Sequence, residues 1–139
     1  MAAYPPAAMR RVARFADGWN PSGEPLEAME QMFAAIKQSA AEAGRDPSNL
    51  KLIVTANVEF HPVPLGDARP IFVGSAEQIE SDILATRRLG AEELIFNALF
   101  SPDIGSTDDL LSRMEQLWTM ARRSEREFSV MANRSAAHA

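Results

Sequence analysis

The chain has 139 residues, enough for one domain or part of one, with 46% hydrophobic and 24% charged residues, ordinary values for a globular protein. A formal net charge of −5 argues against a nucleic-acid partner, and the absence of cysteine excludes disulfide scaffolds and thiolate chemistry. No apolar run approaches the ~20 residues of a membrane span, and no charged segment followed by a long apolar one opens the chain, so no secretion signal is expected and cytoplasmic is the default compartment.

Pro5-Pro6 leads into a first helix. Met9, Val12, Ala13 and Ala16 share one face, and Arg10, Arg11 and Arg14 lie off it as a solvated face. Pro6 suits the first turn, where its missing N–H costs nothing. Gly18-Trp19-Asn20 is a very short strand ended by Pro21-Ser22-Gly23, with Trp19 packing in the core and Asn20 at the strand's C-terminal end. A long second helix starts around Pro25. Its stripe is Leu26, Met29, Met32, Phe33, Ile36, Ala40 and Ala43, and Gly44 stops it before the turn Arg45-Asp46-Pro47-Ser48.

Residues 50–60 read as one strand. Leu52, Val54, Ala56, Val58 and Phe60 lie on one face; Ile53, Thr55, Asn57, Glu59 and His61 lie on the other, which turns polar toward its C-terminal end. Helices over one face and a polar-topped cavity at the other would produce this pattern. A loop rich in proline and glycine follows over residues 62–70, long enough to carry function. Ser75 and Gln78 are spaced as a capping box at the start of a third helix. Ile79 and Ile83 face inward, and Gly90 ends it. The apolar run Leu94 to Phe100, with Asn97 its one polar residue, reads as a strand covered on both faces. Thr107 is placed to cap a last helix whose buried stripe would be Leu110, Leu111, Met114, Leu117, Trp118 and Ala121. Periodicity weakens near Ser124, so residues 1–124 form the folded part and 125–139 a partly frayed tail.

Short strands alternating with long helices imply parallel β-α units. Three strands leave both sheet edges open, so the chain reads as a piece of a larger α/β architecture or as a protein completed by another chain, either a homo-oligomer or a complementing α/β chain. No metal set is present. His61 has no second histidine nearby, since His138 lies in the tail, and no catalytic residue can be named.

Four segments carry a resemblance. Residues 8–21, from Ala8-Met9-Arg10-Arg11 to Asp17-Gly18-Trp19-Asn20-Pro21, resemble the arginine-rich helix and D-G-W strand of luciferase-like monooxygenases. Ala43-Gly44-Arg45-Asp46-Pro47 resembles that family's next turn, Gly74-Ser75-Ala76-Glu77-Gln78-Ile79 its capped helix start, and Leu89-Gly90-Ala91 with Leu94-Ile95-Phe96 its last strand entry. The resemblance implies a partial (β/α)8 TIM barrel, its last three strands and last four helices. It also implies an oxidoreductase using FMN or a deazaflavin (coenzyme F420).

Chemistry in such barrels sits at the C-terminal strand ends. The resemblance therefore points to Trp19 and Asn20 for the cofactor, and to Glu59, His61 and Asn97 for the substrate pocket. A cofactor phosphate would sit on the N–H groups of Ala7 and Ala8 at the first helix's N-terminus. Gly74-Ser75 could hold an anion in the same way, or be an ordinary cap. The resemblance places the family's glycine-glycine phosphate loop just upstream of Met1. A non-catalytic half-barrel that self-associates or binds a partner α/β protein is the competing expectation.

Overall fold

The computed structural model describes residues 5–99 and 101–136. Phe100, expected in the third strand, and His138, expected in the tail, lie outside them. The elements run α1 (Pro6–Phe15), β1 (Gly18–Trp19), α2 (Leu26–Glu42), a one-turn 3-10 helix (Pro47–Asn49), β2 (Lys51–Asn57), β3 (Glu59–Phe60), β4 (Val73–Gly74), α3 (Ala76–Arg88), β5 (Glu93–Asn97) and α4 (Thr107–Ala136). β1, β2 and β5 form a parallel sheet in that order, with Trp19 opposite Leu52 and Asn57 opposite Asn97. β3 and β4 form a second, two-stranded parallel pair.

One face of the three-stranded sheet makes the core. Leu52, Val54 and Ala56 alternate along β2 and are fully buried against Met29, Phe33 and Ile36 of α2 and Ile79 and Ile83 of α3. Period-2 strands and period-3.6 helices meet there, as the apolar pattern requires.

Arg45 joins α1 to the end of α2. At the C-terminus of α2 the N–H of Gly44 donates to the Ala41 carbonyl and that of Arg45 to the Ala40 carbonyl, both at 2.9 Å. Gly44 takes φ +78°, the left-handed conformation that this helix stop needs. The stop aims the Arg45 guanidinium at α1, where Nη1 donates to the Ala13 carbonyl and Nη2 to the Ala16 carbonyl, each at 2.9 Å. A cation at the negative end of α1 thus satisfies carbonyls that have no partner within the helix.

Five local expectations change. The strand over residues 50–60 is two strands. Val58 donates to the Asn97 carbonyl, and then Glu59 donates to the Phe72 carbonyl, so the chain changes partner at Val58. The last strand ends at Asn97 and is covered on one face only: Leu94 and Phe96 pack against helices while Ile95 on the open face is 46% exposed. The cap of α4 is Ser106, whose Oγ accepts from the Asp109 N–H at 3.1 Å, one residue before Thr107. Leu111, Met114 and Trp118 are 58%, 39% and 64% exposed, whereas Leu117, Met120 and Ser124 are buried. α4 packs chiefly on α3, and the turn of the helix that carries Leu111 and Trp118 is left open. Finally, the expected fray past residue 124 is helix as far as Ala136. Arg88 Nη2 lies 3.2 Å from Met131 Sδ, and glutamate, arginine and alanine are good helix formers, so weak hydrophobic periodicity did not end it.

Candidate functional site

The C-terminal ends of β1, β2 and β5 carry a row of hydrogen-bonded side chains on the face opposite the core. Thr55 Oγ1 donates to Asn20 Oδ1 at 2.9 Å. Asn57 Nδ2 donates to Ser22 Oγ at 2.8 Å, and Asn97 Nδ2 donates to Asn57 Oδ1 at 3.0 Å. Asn97 Oδ1 accepts from the Leu99 N–H at 3.4 Å. Asn57 therefore links β2 and β5 to the segment that follows β1. The parallel register produces the row, because it sets Asn57 beside Asn97 and Ser22 beside Thr55. A carboxamide has two donors and two acceptor lone pairs, and this row uses only part of that capacity. The rest is available on an open, uncharged polar face.

The sequence-derived candidates divide among three places. Asn20 and Asn97 belong to the row. Trp19 does not: it is buried beneath the sheet and stacked on Phe33, with ring centroids 6.3 Å apart. Its neighbour on the chain points to the opposite face, as successive strand residues must. Glu59 and His61 are joined to each other, His61 Nε2 lying 3.0 Å from Glu59 Oε1. They follow the change of partner at Val58, and the N–H of His61 donates to the Gly74 carbonyl at 2.8 Å. His61 lines a cleft of about 470 Å³ with Phe60, Ser75, Glu77, Asp103 and Arg113, at the entry to α3. No group of three or more His, Asp or Glu side chains among the described residues is arranged to hold a metal ion.

The helix entries offer little to a phosphate. Ala8 donates its N–H to the Pro5 carbonyl at 2.8 Å, and Pro5 and Pro6 have no N–H to give. Of the expected cradle on Ala7 and Ala8, the Ala8 N–H is thus already paired. At α3 the expected capping box is present. Gln78 donates its N–H to Ser75 Oγ at 3.4 Å and returns Oε1 to the Ser75 N–H at 3.0 Å. The Ser75 hydroxyl also donates to Glu77 Oε2 at 2.8 Å. Glu77's own backbone amide, and then the Ser75 hydroxyl, hold its carboxyl below the ordinary glutamate range. A carboxylate already occupies the positive end of α3, which makes it a cap and not an anion site.

Gln78 reaches further than a cap requires. Its Oε1 accepts from the Leu65 N–H at 2.9 Å and its Nε2 donates to the Leu65 carbonyl at 2.7 Å, fastening the middle of the 62–70 loop to the helix start. A Cβ on Gly74 would crowd that Oε1 and loosen its bonds, and Gly74 has φ +151°, so any other residue there is strained. The loop's far end is fastened by Arg69 and Asp82, with Nη1–Oδ2 at 2.7 Å and Nη2–Oδ1 at 2.8 Å. Sequence reading missed Thr55 and Ser22, the Gln78–Leu65 bond and the Arg69–Asp82 pair. The face of residues 53, 55 and 57 was the signal for Thr55; nothing in the linear order pairs residues 69 and 82.

Beyond β5, Asp103 accepts from Ser101 and from Arg113, whose guanidinium also lies over the Phe60 ring. The Ser101 hydroxyl first, and Arg113 with it, hold the Asp103 carboxyl below the usual aspartate value. A depressed folded pKa contributes stability that is present above the unfolded pKa and is lost as pH falls through the folded one. The wild type is therefore expected to lose stability on acidification below about pH 4 more steeply than Asp103→Asn. Thermal melts from pH 6 to 2.5 check this; identical slopes for the two proteins would refute it.

Residues 1–62 match the family model described as luciferase-like monooxygenase. No curated protein matches the chain. Among solved structures, the crystal structure of a long-chain alkane monooxygenase, LadA, aligns with a TM-score of 0.50 at 10% identity, over 73% of this chain and 36% of that one. This chain thus spans about a third of that protein's length. The parallel β-α architecture is that of part of a (β/α)8 barrel, and the resemblance to luciferase-like monooxygenases holds. No helix among the described residues is long and apolar enough to cross a membrane.

Proposed function

From that resemblance we propose that the chain is the C-terminal part of the barrel of a luciferase-like oxidoreductase, cytoplasmic, whose cofactor is FMN or a deazaflavin. The observation that carries the proposal is the row Asn20–Thr55 and Ser22–Asn57–Asn97 at the C-terminal ends of three parallel strands. This is where a barrel of this kind does its chemistry. The flavin would supply the redox chemistry; the protein residues bind and orient it. Uncharged carboxamides, each both donor and acceptor, suit the alternating C=O and N–H groups of a flavin's pyrimidine edge. No residue at the α1 entry is assigned to a phosphate, because Pro5 already accepts the Ala8 N–H.

The test is a titration of the purified chain with FMN and, separately, with the oxidised deazaflavin, followed by flavin fluorescence. Saturable quenching is expected, and Asn57→Ala should weaken it about tenfold, the effect of one or two net hydrogen bonds. Unchanged emission at millimolar cofactor would overturn the assignment. A second reading, a half-barrel that holds no cofactor, is favoured by the poor phosphate cradle, and a null titration would leave it standing.

A further inference from the structure

A groove between α1 and α2 lies at the far end of the sheet from the polar row, where both helices finish and the chain turns into β1 and, through the 3-10 helix, into β2. It holds about 480 Å³, within the range of small-molecule sites, and is lined by Arg10, Arg11, Arg14, Phe15, Ser39 and Glu42. Its walls are two consecutive helices of this chain that pack on each other, so it is not an edge left for a further barrel unit. Among the described helices α1 alone has no acidic residue. Its three arginines are exposed and make no hydrogen bond or ion pair with any described residue. Arg69, Arg113 and Arg123, by contrast, are each paired with a carboxylate. Only Glu42 opposes the three in the groove, and its Oε1 already accepts from Gln38 Nε2 at 3.0 Å. In a chain of net charge −5 this is a local reversal of sign. The carbonyls at the negative end of α1 would repel an anion here, but Arg45 holds those of Ala13 and Ala16. Phe15, 78% exposed, leaves its ring open at the rim. Water alone would satisfy three guanidinium groups; it does not account for their gathering with an open phenyl ring around one groove.

We propose that this groove binds a phosphate ester that carries an aromatic ring, of the nucleoside monophosphate class. A phosphate monoester bears close to two negative charges at neutral pH, which matches three guanidinium groups set against one carboxylate. Arg10, Arg11 and Arg14 stand three and four residues apart on α1, so their side chains are neighbours and can share one phosphate. Its three acceptor oxygens suit planar guanidinium forks better than the two of a carboxylate. The base would stack on Phe15, as bases do on aromatic side chains. A polynucleotide is a poor occupant, because its further phosphates would meet the acidic surface beyond the groove. The proposal stands apart from the flavin assignment: it uses no residue of the polar row and lies at the opposite end of the strands.

Nuclear magnetic resonance titration of the full chain with AMP, inorganic phosphate and adenosine tests it, at about 50 mM salt, where surface charge is little screened. AMP is expected to saturate with a Kd below about 1 mM, shifting the amide signals of Arg11, Arg14, Phe15 and Ser39, with phosphate and adenosine each about tenfold weaker. Arg11→Gln and Arg14→Gln, both at exposed positions, should each weaken AMP about tenfold. Phe15→Ala should weaken AMP about tenfold and leave phosphate binding unchanged. The amide spectrum of each variant shows whether its fold is intact. FMN is itself an aromatic phosphate, and the two sites separate by variant: Arg14→Gln should leave the flavin quenching that Asn57→Ala weakens. Three results would overturn the proposal: no saturable shift with AMP up to about 10 mM, AMP binding that survives both arginine changes, or phosphate alone binding as tightly as AMP.

Discussion

Asp82→Ala is expected to lower the unfolding free energy by about 3–5 kcal/mol, the range for removing one partner of a buried ion pair. The Asp82 carboxylate is nearly buried and accepts three hydrogen bonds: two from the Arg69 guanidinium, at 2.7 and 2.8 Å, and one from the Phe72 N–H at 2.8 Å. Its hydrogen bond raises the Arg69 pKa further above the ordinary arginine value. Without the carboxylate, a largely buried guanidinium keeps only its carbonyl contacts, such as the 3.1 Å bond to Val73, and the N–H of buried Phe72 has no acceptor. Phe72 has φ +64°, a left-handed conformation that costs a non-glycine residue about 1 kcal/mol or more. The bond from its N–H to Asp82 holds that conformation in place. Asp82→Asn retains acceptor capacity and should lose clearly less. Urea unfolding of the three proteins measures this. A loss below about 1 kcal/mol for alanine would mean that Gln78 alone holds the 62–70 loop.

Arg45→Met is the second large effect, about 2–3 kcal/mol. A hydrogen bond to a charged group is worth about 1.5–3 kcal/mol net, and two good ones are lost together with a cation at the negative end of α1. Methionine keeps most of the apolar stem, so packing changes little. Arg45→Lys should recover less than half of the loss, since an ammonium is a point charge and cannot match two carbonyls with a planar fork. The loss should appear in equilibrium unfolding and as faster amide exchange in α1. A methionine variant within 0.5 kcal/mol of wild type would show that water replaces the guanidinium at those carbonyls.

Arg45 also explains why the two N-terminal segments of the resemblance occur together. The Arg11-Val12-Ala13-Arg14 helix and the Gly44-Arg45-Asp46 turn read as separate motifs, and the structure makes them one contact: the helix stop at Gly44 delivers the guanidinium to the end of α1. The polar row has a similar history. Asn20 and Asn97 were recognisable as polar residues at strand ends, but Asn57, which links Asn97 to Ser22, is one of several polar residues on its face and becomes the bridge only through register. Trp19 shows the converse: a place at a strand end suggested the site, and its bulk sends it to the core against Phe33.

The sequence by itself determined the order of the four helices and of the strands β1, β2 and β5, the capping box at Ser75 and Gln78, the helix stops at Gly44 and Gly90, and the face of β2 that packs on helices. These are local matters of propensity, hydrogen-bond capacity at helix ends, and apolar period. Tertiary structure alone decided where a strand changes partner, which part of the apolar face of α4 is covered, and which side chains meet across the sheet. Those depend on what lies opposite in space. A strand pattern carries no record of its register, and an apolar helix face does not say how much of it its own chain will cover.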